Sequence, residues 1–176
     1  MIKKIFFLFF VTLLSIAAIE NKTFPSIEGE TLTGEQINIP QSTLGKVTIV
    51  GMAYSKKSEE MLKSWFQPMY NKFIAQSGMF DDYDVNLYFI PMFTGTKKMA
   101  YNKTIKNLKE SNRKDLHPYM MFYKGELEPY VTDLKMDRKD LPYFFVLDKE
   151  GNIVYSTQGF FNESKMEKIE EAIENN

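Results

Sequence analysis

The sequence predicts an α/β domain: a central mixed sheet flanked by helices, opened by a small N-terminal hairpin. Three observations carry this. Lys46-Val47-Thr48-Ile49-Val50-Gly51-Met52-Ala53 is β-branched and almost free of charge, the composition of a strand buried on both faces. Met61, Leu62, Trp65, Phe66, Met69, Tyr70, Phe73 and Ile74 then return as apolar pairs every four residues, one stripe along a helix. A second apolar run, Val85 to Pro91, completes a strand, helix, strand order, which a right-handed crossover between parallel neighbours satisfies.

Taken in order, residues 1–18 read as a secretory signal. Lys3 and Lys4 form a basic start, Ile5 to Ile16 an apolar stretch, and Ser15 to Ala18 supply small residues for cleavage near 18–20. About twelve apolar residues fall short of the ~20 that span a bilayer. A periplasmic or secreted location is therefore expected, with an uncleaved membrane anchor as the alternative and no stable span after cleavage. Residues 19–176 are expected to form one domain. Asn21 to Pro40, broken by Gly29 and Gly34, reads as a hairpin with Leu32, Ile37 and Ile39 turned inward.

The helix after the first central strand begins at Tyr54-Ser55-Lys56-Lys57-Ser58. Ser55 or Ser58 can cap it, and Glu59 and Glu60 suit the positive end of its dipole. Pro68 should kink it, because proline lacks a backbone donor and crowds the preceding turn. Gly78 closes it ahead of the Asp81–Asp84 loop. Thr96 to Asn112 is expected to be a basic helix with sparse apolar positions, a solvated face or a surface for an anionic partner. The segment from Tyr119 to Asp137 gives no clear pattern beyond one short apolar run. Leu141 to Asp148 and Ile153 to Ser156, joined at Gly151-Asn152, read as a hairpin. Asn162 or Ser164 opens a last helix, Ser164 and Glu167 fit a capping box, and Met166, Ile169, Ala172 and Ile173 line its inner face.

Composition narrows the chemistry. The chain has no cysteine, so disulfide exchange, thiolate catalysis and cysteine-based metal sites are ruled out for it, as is lipoprotein anchoring. Loss of Lys3 and Lys4 with the signal leaves 20 basic against 23 acidic residues, a formal charge of −3 that steers nothing to nucleic acid. His117, the one histidine, has no second histidine to share a site with and is expected to have a surface or packing role.

With these residues in view, the chain resembles a TlpA-like member of the thioredoxin superfamily. Phe24-Pro25 with Gly29 and Gly34 is similar to that group's opening hairpin, and Gly45-Lys46-Val47 to the start of its first central strand. Tyr54 to Ser58 takes the place of the aromatic-Cys-x-x-Cys turn. Leu141-Pro142, Phe145-Val146-Leu147-Asp148, Gly151, Ile153-Val154 and Gly159 look like the proline strand and terminal hairpin. Ser64-Trp65-Phe66-Gln67-Pro68 also looks like the helix of mitochondrial ATP synthase assembly factors of thioredoxin-like fold. The resemblance implies a cis bond between Leu141 and Pro142 and a groove formed by Tyr54, Ser55, Lys56, Lys57, Ser58, Leu141 and Pro142.

Because serine stands at both cysteine positions, redox activity does not carry over. The expectation is a redox-inactive binding or chaperone-like module that holds a protein or extended peptide, with no cofactor, no metal and no enzymatic activity. Two alternatives remain open. One is an enzyme that uses a serine nucleophile activated by Lys56 or Lys57, which requires a buried, deprotonated lysine. The other is a small-anion site at the Ser55–Ser58 turn.

Overall fold

The computed structural model describes residues 19–75, 83–110 and 113–176. Residues 1–18, and with them the expected signal, lie outside the described residues, as do Gly78, Asp81 and Asp82. Seven strands form one sheet in the order β2-β1-β5-β4-β3-β6-β7, with β1 Ile27–Thr31, β2 Gln36–Ile39, β3 Thr48–Ala53, β4 Asn86–Phe93, β5 Met121–Lys124, β6 Tyr143–Leu147 and β7 Ile153–Gln158. β3, β4 and β5 run parallel, and the remaining pairs are antiparallel. The helices are α1 Lys56–Tyr70, α2 Tyr101–Lys109, α3 Glu128–Asp133 and α4 Glu163–Glu174.

The period of the strands divides the core. On β6, Phe144 and Val146 face a cluster with Leu62, Trp65 and Met69 of α1 and Met166, Ile169 and Ile173 of α4. Phe145 and Leu147 point to the opposite face, with Phe24, Ile27, Tyr130 and Met136. β3 is buried at every position, as a strand between β4 and β6 must be. Gly51 on β3 has a local reason: a Cβ there would stand 2.5 Å from the Phe144 ring, which itself packs 4.2 Å from Trp65, centroid to centroid. The opening hairpin forms with Leu32, Ile37 and Ile39 buried, and it extends the sheet through β1 and β5. A strap at residues 21–24 is zipped to the start of β7: Asn21 N–H donates to Ile153 O, Ile153 N–H to Lys22 O, and Phe24 N–H to Gly151 O, at 2.8–2.9 Å.

Several expectations need correction. α1 runs through Pro68 to Tyr70, and the irregularity expected at Pro68 takes the form of a π segment, Asn71–Ala75, that follows it. β4 continues through Pro91 to Phe93, since Pro91 stands where the β3 ladder ends and loses no bond from its middle. The basic helix is shorter than expected: Gly95–Ala100 is a 3-10 turn and only Tyr101–Lys109 is α-helical. The unplaced segment contributes β5 and α3. Asn162 caps α4 by accepting from Lys165 N–H, so Ser164 lies inside the helix instead of at a capping box. The Leu141–Pro142 bond is not cis; the cis peptide among the described residues is Ile39–Pro40. Leu141 N–H closes a turn onto Arg138 O at 3.1 Å, and the chain passes from that turn into β6 in the ordinary trans form.

Candidate functional site

Three junctions meet at one end of the sheet. β3 runs outward to Ala53 and hands over to the turn before α1. β6 is antiparallel to it, with Met52 opposite Tyr143, so Leu141-Pro142 leaves at the same end. β7, antiparallel to β6, ends there at Gln158, opposite Tyr143. The sheet thus brings together Tyr54 to Ser58, Leu141-Pro142 and Gly159-Phe160.

The turn is closed on itself. The Ser55 hydroxyl accepts from Ser58 N–H at 3.1 Å while the Ser58 hydroxyl accepts from Ser55 N–H at 3.0 Å, a reciprocal capping box with serine in both roles. The two hydroxyl oxygens are 3.1 Å apart, and Ser58 Oγ also lies 3.0 Å from Ser55 O. Ser58 is 0% exposed, so no substrate reaches its hydroxyl. Lys56 and Lys57 are exposed, and the Lys57 ammonium lies 3.3 Å from Asp140, which Arg138 also holds. Those two cations hold the Asp140 carboxyl below its usual range, Arg138 through the larger effect. In this geometry no buried lysine activates a serine, and the hydroxyls that an anion would use are already bonded to each other and to the backbone.

Tyr54 packs on the opposite face and donates its hydroxyl to Met136 O at 2.6 Å. Burial, then Asp137 and Asp140, raise its pKa, so the phenol stays a donor at neutral pH. Tyr143 accepts from Arg138 N–H at 2.7 Å and lies 3.2 Å from Asp137; burial is the main cause that pushes its pKa up to about 12. These two phenols fix the loop that carries Leu141-Pro142. Beyond the turn, Glu59 in the first helical turn is paired with Lys97, whose ammonium also donates to Met92 O at 3.1 Å and stands 5.5 Å from the Phe93 ring centroid.

Phe160 is the residue that sequence reasoning missed. Its side chain is 58% exposed, yet the backbone around it is tied on every side. Gly159 N–H donates to Pro142 O at 2.9 Å, and Trp65 Nε1 donates to Gly159 O at 2.8 Å. The Lys165 ammonium donates to Gln158 O and Phe160 O, both at 2.8 Å, and Phe161 N–H to Ser64 Oγ at 3.2 Å. The available signal was the pair Phe160-Phe161 directly after a strand and a glycine, where one ring turns inward onto Trp65 and the other outward. His117, by contrast, stands outside this site, with its buried Nε2 atom unpartnered. Among the described residues no cluster of His, Asp and Glu is arranged to hold a metal, and no helix is long and apolar enough to cross a membrane.

A family model described as ATP10 protein matches residues 10–175. No curated protein matches the sequence. Yeast Sco1 superposes with a TM-score of 0.54 at 17% identity, covering 88% of this chain and 96% of that one. BsSco, a member of the Sco family of cytochrome c oxidase assembly proteins, gives 0.55 at 13% identity, with coverages of 90% and 97%. StoA from Bacillus subtilis gives 0.53 at 16% identity, with coverages of 83% and 96%. At such identities the likeness establishes the fold alone, and that fold is thioredoxin-like.

Proposed function

This chain belongs to the ATP10 protein family, and we propose that it is an exported, redox-inactive assembly module that holds an extended segment of a protein partner at the Tyr54–Ser58, Leu141–Pro142 and Phe160 end of its sheet. The observation that carries this reading is the held loop around Phe160: a large apolar side chain kept in solvent by a backbone that Pro142, Trp65, Ser64 and Lys165 immobilise. An aromatic presented on a rigid support loses little conformational entropy when a partner covers it. The adjoining turn has no sulfur to exchange and spends its hydroxyls on capping, so the site binds without thiol chemistry. The family resemblance points to ATP synthase as the complex under assembly. The module catalyses no covalent step; it holds and releases.

The test is complementation. Cells lacking the protein are given wild-type chain, Phe160→Asp, or Phe160→Leu, and assembled ATP synthase is measured on native gels. The reading expects restoration by wild-type and Phe160→Leu and at least about tenfold weaker restoration by Phe160→Asp, the loss of a well-packed aromatic anchor costing ≥ ~2 kcal/mol. Full restoration by a stable Phe160→Asp chain would sink it. Export is checked separately by N-terminal sequencing of the mature protein, expected to start near residues 18–20.

A further inference from the structure

The molecule is electrically lopsided. Between Lys97 and Lys114 seven basic residues accompany one carboxylate, Glu110, whereas the rest of the chain carries fifteen basic against twenty-two acidic residues. Within that stretch Lys97, Lys98 and Arg113 are paired with Glu59, Glu126 and Asp115. Lys103, Lys106 and Lys109 form no ion pair among the described residues, and all three are exposed.

Helix geometry sorts these side chains. Tyr101, Ile105 and Leu108 form the half-buried face of α2 that packs on the core, with Tyr101 edge-on to Phe93 at 5.2 Å. Lys103 and Lys106 lie on the opposite face, and Lys109 on its flank. One turn before Lys103, in the 3-10 segment that leads into α2, Met99 is 85% exposed, the highest value among the exposed large hydrophobic residues described.

We propose that the outer face of α2 docks on an anionic phospholipid surface, with Lys103, Lys106 and Lys109 on the headgroups and Met99 entering the boundary of the acyl chains. The lysines supply attraction that falls away within about one Debye length. The exposed methionine favours lipid over an acidic soluble protein, because a charged protein surface gains nothing from an apolar chain laid against it, whereas the headgroup boundary does. The acidic remainder of the chain is repelled by the same surface, so one orientation is selected. The Lys97–Glu59 pair ties this region to the first turn of α1. Docking therefore carries the Tyr54–Ser58 end towards the bilayer. The proposal stands independently of what that end binds.

The test uses the full chain with vesicles of phosphatidylcholine alone, vesicles containing about one-third phosphatidylglycerol, and soluble polyglutamate. The quantity read is the change on substitution in the excess of binding to anionic over neutral vesicles, since the apolar residues near the N-terminus and Lys3 and Lys4 contribute equally to every variant. The excess is expected to fall roughly fivefold for each lysine removed in Lys103→Gln, Lys106→Gln and Lys109→Gln, to vanish at high salt, and to fall less in Met99→Ser. Circular dichroism verifies that each variant is folded, and the single variants serve if the triple variant is not. Equal binding to both vesicle types, an excess that survives the substitutions, or binding to polyglutamate without an anionic excess on vesicles would each overturn the proposal.

Discussion

α1 and α2 are the two crossover helices of the parallel part of the sheet, and they are built in opposite ways. α1 is sealed at its N-terminus by two serines that cap each other, and its inner face buries Leu62, Trp65 and Met69. α2 starts without a side-chain cap and buries no residue completely. Stability resides in the first helix, while the second is held mainly by half-buried contacts and leaves its charge outside. Among the described residues, α2 contributes little to the core and concentrates lysines without ion pairs.

That contrast can be tested from its strongest side. Trp65→Ala should cost about 3–5 kcal/mol in denaturant unfolding, because it opens a cavity beneath Phe144 and Phe161 and frees Gly159 O. A loss below about 1 kcal/mol would mean that α1 is not the stabilising helix. Ser55→Cys with Ser58→Cys should form an intramolecular disulfide under oxidising conditions, scored by loss of free thiols, since the present oxygens are already 3.1 Å apart. By loop-closure entropy such a bond is worth about 2 kcal/mol. Ser55→Ala should cost ~1 kcal/mol from the lost N-cap, read as a lower melting temperature. On α2, by contrast, replacing Lys103, Lys106 and Lys109 together by Gln should shift stability by no more than about 0.5 kcal/mol.

The smallest effect is one of pH. The Asp140 pKa is depressed in the folded chain, first by Arg138 and then by Lys57, so its ties to both are fully present above the unfolded value near 3.8 and are lost as pH falls through the lower folded value. NMR of the Asp140 carboxyl should give a midpoint below 3.8, held down chiefly by Arg138 and then by Lys57; a midpoint that does not rise in Lys57→Gln would mean that the α1 turn and the Pro142 loop are not electrostatically coupled.

What was legible in the sequence was whatever depends on neighbours along the chain. The β-branched run of β3, the stripe of α1, both hairpins and the serine turn all follow from local period and composition. Pro91 misled because its cost depends on which neighbour would have received the missing N–H, and that is set by strand order. Phe160 was illegible for the same reason on a longer scale: its exposure is enforced by Trp65, 94 residues before Gly159. The isomer of Pro142 was carried over from the resemblance, and the structure does not have that bond cis.

The strap at residues 21–24 has a consequence in time. Its hydrogen-bonding partners are Gly151 and Ile153, more than a hundred residues further along the chain. A ribosome makes the strap more than a hundred residues before its partners, so these residues have nowhere to pair until β7 has begun to emerge. Closing the strap is therefore a long-range event that reports completion of β7, and a chain moving N-terminus first through any narrow passage carries its first residues through unzipped.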